Sequence, residues 1–333
     1  MINQYDHYIA VDWAQTNMAI ARMTKSSEKI DVRDVPASVK ELKVYLKSLK
    51  GQKALTIEES STSQWLYIEL KDCVDELIIC DPYRNFLLSE GTKNDKIDAT
   101  KLVKLLRGNL LKPVFHSADD MIYLRKIVSA YDDLVKMGVR LKNQRAALFI
   151  SRGLDKKKDS LERVEEKFIV DGIDQSIQVY EDEKKRYEKE FSRLSRQHQA
   201  LRDLKSLPGI GEVHALKIAS MVVDANRFPT KGHFLSYCGL IKLDQSTGGK
   251  SFGKRQPRCC RLLKNVFKTA ALSATQDHVN NPMRDLYLIL QNEKRYPEFK
   301  ARHMIARRLA ILAYGILKTG KKYDTERRIL QAA

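Results

Sequence analysis

Apolar residues over positions 7–80 come in short, strand-length runs separated by polar turns. His7–Asp12 and Met18–Met23 predict two strands around a turn, and Lys29–Asp34 predicts a third. From Ser38 to Leu49 the period changes. Val39, Leu42, Leu46 and Leu49 recur every three or four residues, which predicts a helix with one buried face. Strand Ala54–Glu58, helix Gln64–Lys71 and strand Leu77–Cys80 follow. Asn94 or Asp95 then caps a predicted helix that runs through Leu102, Leu105 and Leu106 to Arg107, where Gly108-Asn109 stops it.

Beyond this point the pattern is helical. Leu124, Ile127, Val128, Tyr131, Leu134, Val135, Leu141, Leu148 and Phe149 predict one long amphipathic helix between Asp119 and Ser151. A second, charge-rich helical stretch runs from Ser160 to Leu204. Its part Glu181–Arg196 has few apolar residues and reads as an arm of a helical hairpin, an oligomerisation arm or a solvated linker helix. At Leu204 the character changes. Leu207-Pro208-Gly209-Ile210-Gly211, followed by Val213, Leu216, Ile218, Ala219 and Met221, reads as a helix-hairpin-helix. Its turn would present backbone N–H groups near Gly209 and Gly211 to phosphate, and the plainer alternative is a tight interhelical turn. Asp244–Arg255 shows no hydrophobic period and predicts a basic loop, after which Arg261–Thr275 and Ala301–Thr319 predict helices. The fold class is therefore α/β plus α. Residues 1–115 form a mixed-sheet domain whose element order is that of a ribonuclease-H-like domain, 116–203 a long helical, coiled-coil-like middle, and 204–333 a mainly helical domain.

Charge adds a partner class. Sixty Lys and Arg against 42 Asp and Glu leave a net charge of +18 over 333 residues, which points to a polyanion and to nucleic acid ahead of membrane. The excess gathers in Lys242, Lys250, Lys254, Arg255, Arg258, Arg261, Lys264 and Lys268, and again around Arg302, Arg307, Arg308, Lys318, Lys321 and Lys322. No apolar run approaches the length of a membrane span, and Met1–Asp6 lacks a basic-then-apolar signal, so a cytoplasmic location is expected. Five cysteines, without a C-x-x-C pair, read as reduced thiols and not as a zinc site.

Candidate chemistry lies in four carboxylates: Asp12 and Glu59 at strand ends, and Asp95 and Asp98 in the first turn of a helix. Strand ends and a helix start can deliver carboxylates to one point. Mg²⁺ or Mn²⁺ prefers such oxygen donors, and an open carboxylate site suits phosphoryl transfer. Each residue also has a plainer role, as turn residue or helix cap. In Asp244–Arg255 several hydroxyls sit among cations, either a flexible basic loop or one presenting a nucleophile beside phosphate-neutralising charge.

Three stretches together resemble a known family: Tyr8-Ile9-Ala10-Val11-Asp12-Trp13-Ala14, Thr92-Lys93-Asn94-Asp95-Lys96-Ile97-Asp98-Ala99, and Leu207-Pro208-Gly209-Ile210-Gly211 through Tyr237-Cys238-Gly239-Leu240 to Gln245-Ser246. The family is the one-ten family of insertion-sequence transposases, with a RuvC-like Asp-Glu-Asp-Asp domain and a serine-bearing domain, kin of the pilin gene-inverting recombinase. The resemblance implies metal ligands Asp12, Glu59, Asp95 and Asp98 and a nucleophile Ser246. It also implies donor and target DNA, a structured noncoding guide RNA, and a homo-oligomer whose site is composite between protomers. Glu58 competes with Glu59. Glu59 is favoured because Ser61 and Trp65 then fall where the family has its hydroxyl and aromatic, and Ser251 stands second to Ser246. Two other readings share these features: a junction resolvase that hydrolyses with water, and a non-catalytic nucleic-acid-binding protein.

Overall fold

The structure, a computed structural model, describes residues 4–84, 94–156 and 159–324. Thr92 and Lys93 of the second resembling stretch, and Met1, Ile2 and Asn3, lie outside the described residues. The chain divides into two compact units, Met1–Ala118 and Asp119–Ala333, so the middle helices belong to the second.

In the first unit, β1 (His7–Trp13), β2 (Asn17–Thr24) and β3 (Ser27–Pro36) form an antiparallel meander. Helix α1 (Val39–Ser48), capped by the Ser38 side chain, leads to β4 (Lys53–Glu58), and α2 (Ser63–Leu70) leads to β5 (Glu76–Cys80). The sheet order is β3-β2-β1-β4-β5, with β4 parallel to both β1 and β5. Strand alternation sorts the side chains into two layers. Ile9, Val11, Ile20, Leu55 and Ile57 pack with Leu42 and Leu46 of α1 and Leu66 and Leu70 of α2. Tyr8, Ala10, Ala19, Ala21 and Ala54 form the other face, against Ala99, Leu102, Val103 and Leu106 of α3 (Asp95–Arg107). The small alanines let α3 lie close on the sheet, and each fully buried leucine contributes about 1.5–3 kcal/mol. After α3 the chain returns along β5, where the Val114 amide donates to the Ile79 carbonyl at 2.7 Å.

The second unit opens with α4 (Leu124–Ile150) and α5 (Val164–Gln197), an antiparallel helical hairpin. Its seam carries Tyr131 on Phe191 and the ion pairs Lys142–Glu181 at 2.5 Å and Arg145–Asp174 at 2.6 Å. Glu181–Arg196 is thus an arm of a hairpin; Glu181 and Glu188 reach across to Lys142 and Tyr131, and Lys185, Arg186 and Arg193 pair with acids along α5 itself. The helix predicted to run on to Leu204 breaks at His198, whose backbone is extended, and α6 (Gln199–Leu204) follows. Then come α7 (Glu212–Val222), α8 (Lys231–Tyr237), α9 (Arg261–Ala274), α10 (Pro282–Asn292) and α11 (Glu298–Thr319) around a core that includes Phe234 and Phe267.

One expectation is overturned. Asp244–Arg255 is not an irregular loop but an antiparallel hairpin of β6 (Leu243–Thr247) and β7 (Lys250–Arg255). Gly248 and Gly249 both take positive φ, +56° and +77°, as a two-residue hairpin turn demands. Every residue of both strands is exposed, so no apolar face existed for periodicity to detect.

Candidate active site

Asp12 stands near the end of β1 on the α3 face, two residues beyond Ala10. The parallel register pairs Val11 with Ile57, which sets Asp12 beside Glu58. Parity then separates the two glutamates. Glu58 follows Ala54 and Thr56 on the Asp12 face, whereas Glu59 follows Leu55 and Ile57 toward α2. Asp95 and Asp98 share one side of the first turn of α3, whose start is fixed by Asn94 Oδ1 accepting from the Lys96 amide at 3.0 Å.

The electrostatics agree with this placement. The Asp12 carboxyl is pushed up to about 6, first by burial and then by the charges of Asp95, Glu58 and Asp98. Asp98 Oδ1 is buried and has no hydrogen-bond partner among the described residues; Lys101 Nζ stands 3.8 Å away. Among the described residues no three His, Cys, Asp or Glu side chains are already gathered into a metal cage.

Glu59 is engaged elsewhere. Its Oε2 lies 2.7 Å from His116 Nε2, and His116 Nδ1 lies 2.8 Å from Gln64 Oε1. Gln64 Nε2 in turn donates to the Ser117 carbonyl at 2.8 Å. The His116 side chain is almost wholly enclosed and lies against the Tyr67 ring. Strand parity thus sets Glu58 beside Asp12, while Glu59, the preferred ligand of the sequence reading, is bonded to His116. Trp13 and Trp65 meet edge to face, with ring centres 5.8 Å apart.

In the second unit the two candidate serines are cross-strand partners, for the hairpin register pairs Ser246 with Ser251. Both are exposed, beside Lys250, Lys254 and Arg255 on β7, and Lys254 Nζ lies 3.6 Å from Asp244 Oδ1. Gln256 Nε2 donates to the Gly239 carbonyl at 3.2 Å and anchors the hairpin's exit. Arg258 and Arg261 follow, both exposed, Arg261 opening α9.

The two glycines of the Pro-Gly-Ile-Gly turn differ. Gly209 has φ +75°, and a Cβ there would sit 2.1 Å from the Ala270 carbonyl oxygen, so packing against α9 requires it. Gly211 caps α7 in an extended conformation with open space where a Cβ would point. Beside it lies a cavity of about 640 Å³ lined in part by Lys185, Lys189 and His214. Of the two acids on its lining, Glu188 and Glu212, the second is bound by Lys205 at 2.7 Å and by Ser192, and these bonds hold its carboxyl below the usual range.

Comparison with known proteins matches both units. Residues 9–150 match a transposase family model of the DEDD IS110 type, and residues 201–288 match the model described as Transposase IS116/IS110/IS902 family. The chain belongs to the IS110 family of transposases. A relative in Streptomyces coelicolor, "Insertion element IS110 uncharacterized 43.6 kDa protein", is 25% identical over 158 residues, 47% of this chain and 38% of the relative. The match thus spans about two fifths of that relative's length.

In this IS110-family chain the first match contains Asp12, Glu58, Glu59, Asp95 and Asp98, and the second contains the Pro-Gly-Ile-Gly turn and the serine hairpin. All of α5 falls between the two matches. Sequence reasoning missed the His116 link and helix α10. The second had a signal in Asn281-Pro282: the Asn281 side chain accepts from the Met283 and Arg284 amides, and Pro282 opens the helix.

Proposed function

We propose that this chain is a DNA transposase that cuts and rejoins the strands of a mobile element. The observation that carries the reading is Asp12, its carboxyl raised by burial and then by the charges of Asp95, Glu58 and Asp98, in a chain of the IS110 family. The sheet order and the carboxylates at its edge support a RuvC-like, ribonuclease-H-like first unit. The α6–turn–α7 segment supports a helix-hairpin-helix in the second.

The donor set fits a hard divalent cation, Mg²⁺ with Mn²⁺ as substitute, since it offers only carboxylates, and the buried Asp98 Oδ1 accepts no hydrogen bond among the described residues. Asp12, Glu58, Asp95 and Asp98 would hold it, Glu58 replacing the Glu59 that the family resemblance suggested. When bound, the cation supplies Lewis-acid polarisation of a phosphoryl oxygen. Ser246 Oγ attacks the scissile phosphorus and loses its proton. The bond from phosphorus to the 3′ oxygen breaks, and that oxygen leaves as a 3′-hydroxyl. A 3′-hydroxyl of the exchanging strand then attacks the phosphoserine and restores the free serine. Lys250, Lys254 and Arg255 offset the charge on the five-coordinate phosphorus.

Ser246 and the carboxylates belong to different units, which is compatible with a site composed between protomers of a homo-oligomer. The family resemblance further supports guidance by a structured noncoding RNA that pairs with donor and target DNA, and work in the cytoplasm at the nucleoid. No helix among the described residues is long and apolar enough to cross a membrane. The test is strand chemistry in the presence of RNA recovered with the protein. Joined strands, abolished by chelator and by Asp12→Ala with RNA binding retained, support the reading. Hydrolysed ends alone would assign the site to a water-using nuclease, and full activity in chelator would remove the metal.

A further inference from the structure

The two basic runs of the sequence, separated by more than a helix, meet in the second unit. Lys264 and Lys268 lie one turn apart on α9, and Arg302, His303 and Arg307 lie on α11, which packs along α9. Their proximity is visible in His303, whose imidazole is held below its usual range by burial and by the charges of Arg307, Lys268 and Lys264. Between the helices lies a cavity of about 750 Å³, walled by Lys268, Leu272, Phe299, Arg302 and His303, with Glu298 the one acid on its lining.

Two groups there are incompletely used. Arg302 spends one nitrogen on Glu298, while its buried Nε has no hydrogen-bond partner among the described residues. Phe299 leaves 77% of its surface exposed at the rim of this cationic cavity. Cations beside an open aromatic face are the two requirements for holding a nucleic acid strand by its phosphates and one base. The volume is that of a small-ligand site and not of a helix groove. A duplex keeps its base faces stacked within itself, so only an unpaired base can meet Phe299.

We propose that this cavity holds one unpaired nucleotide of a DNA single strand, its base stacked on Phe299 and its phosphates on Lys268 and Arg302. The identity of the strand as DNA rests on the transposase reading; the base-and-phosphate chemistry of the cavity does not. Strand exchange exposes single strands, and a pocket of this kind would keep one from re-annealing.

The test uses the full-length protein and a short single-stranded DNA carrying 2-aminopurine, whose emission falls when the base stacks. The wild-type protein quenches the emission on binding. Phe299→Ala, an exposed position whose loss leaves the thermal melt unchanged, binds about ten-fold more weakly or worse and loses the quenching, and Phe299→Tyr restores it. Lys268→Ala and Arg302→Ala weaken binding and flatten its salt dependence while the bound base stays quenched. Undiminished quenching by Phe299→Ala, or equal quenching of the annealed duplex, overturns the proposal. Tighter binding of the RNA of the same sequence overturns the assignment to DNA. A protein that forms the Ser246 adduct without quenching loses this inference alone, whereas one that quenches without an adduct keeps the cavity and loses the transposase reading.

Discussion

Asp12, its carboxyl raised to about 6 by burial and then by neighbouring carboxylates, carries a stability cost that a cation can relieve. Below about pH 4 Asp12 is neutral in folded and unfolded chains alike; between about 4 and 6 only the unfolded chain ionises. Its contribution is therefore present at low pH and lost as pH rises through 6. The rise from 3.8 to about 6 corresponds to at most about 3 kcal/mol, less after solvent screening of this half-buried group. Asp12→Asn should raise the melting temperature of the metal-free protein near neutral pH and remove the further rise that millimolar Mg²⁺ gives the wild type, both read from thermal melts with and without chelator. The same melts separate the glutamates: Glu58→Gln should lose most of the Mg²⁺ increment and Glu59→Gln should keep it. Asp12, Asp95 and Asp98 were legible because strand-end and helix-start carboxylates are distinctive. The period-two alternation of Ala54, Thr56 and Glu58 sets Glu58 on the Asp12 face, a placement the sequence already carries. His116 was not legible, since its partner lies 57 positions away and only the return along β5 brings them together.

Among the elements, those with an apolar stripe were readable to within a few residues: the five strands of the first unit, α1 to α3, α9 and α11. The β6–β7 hairpin was not, because it buries nothing and its Gly248-Gly249 turn was its only signal. The Pro-Gly-Ile-Gly turn was found, but one of its glycines has a packing duty that sequence could not reveal. Gly209→Ala forces a Cβ into the Ala270 carbonyl and should cost about 2 kcal/mol or more in chemical denaturation. Gly211→Ala meets open space and should fall within about 0.5 kcal/mol of wild type. Similarly, Gly138 on α4 lies under the Tyr180 ring of α5, where a Cβ would come within 2.4 Å. Gly138→Val should loosen the helical hairpin, measured as faster amide exchange along both helices.

For the whole molecule, a net charge of +18 and two basic runs pointed to a polyanion, and the fold assigns those runs to one unit and the carboxylates to the other. In the proposed chemistry, strand cleavage passes through a bond between phosphorus and Ser246. The most direct measurement is denaturing electrophoresis of the protein incubated with Mg²⁺, its co-purified RNA and end-labelled DNA, followed by mass spectrometry of the DNA-linked peptide. A covalent adduct is expected on the β6 peptide, at Ser246, lost in Ser246→Ala and retained in Ser251→Ala. An adduct that persists in Ser246→Ala, or cleaved DNA with no adduct at any time point, would contradict it.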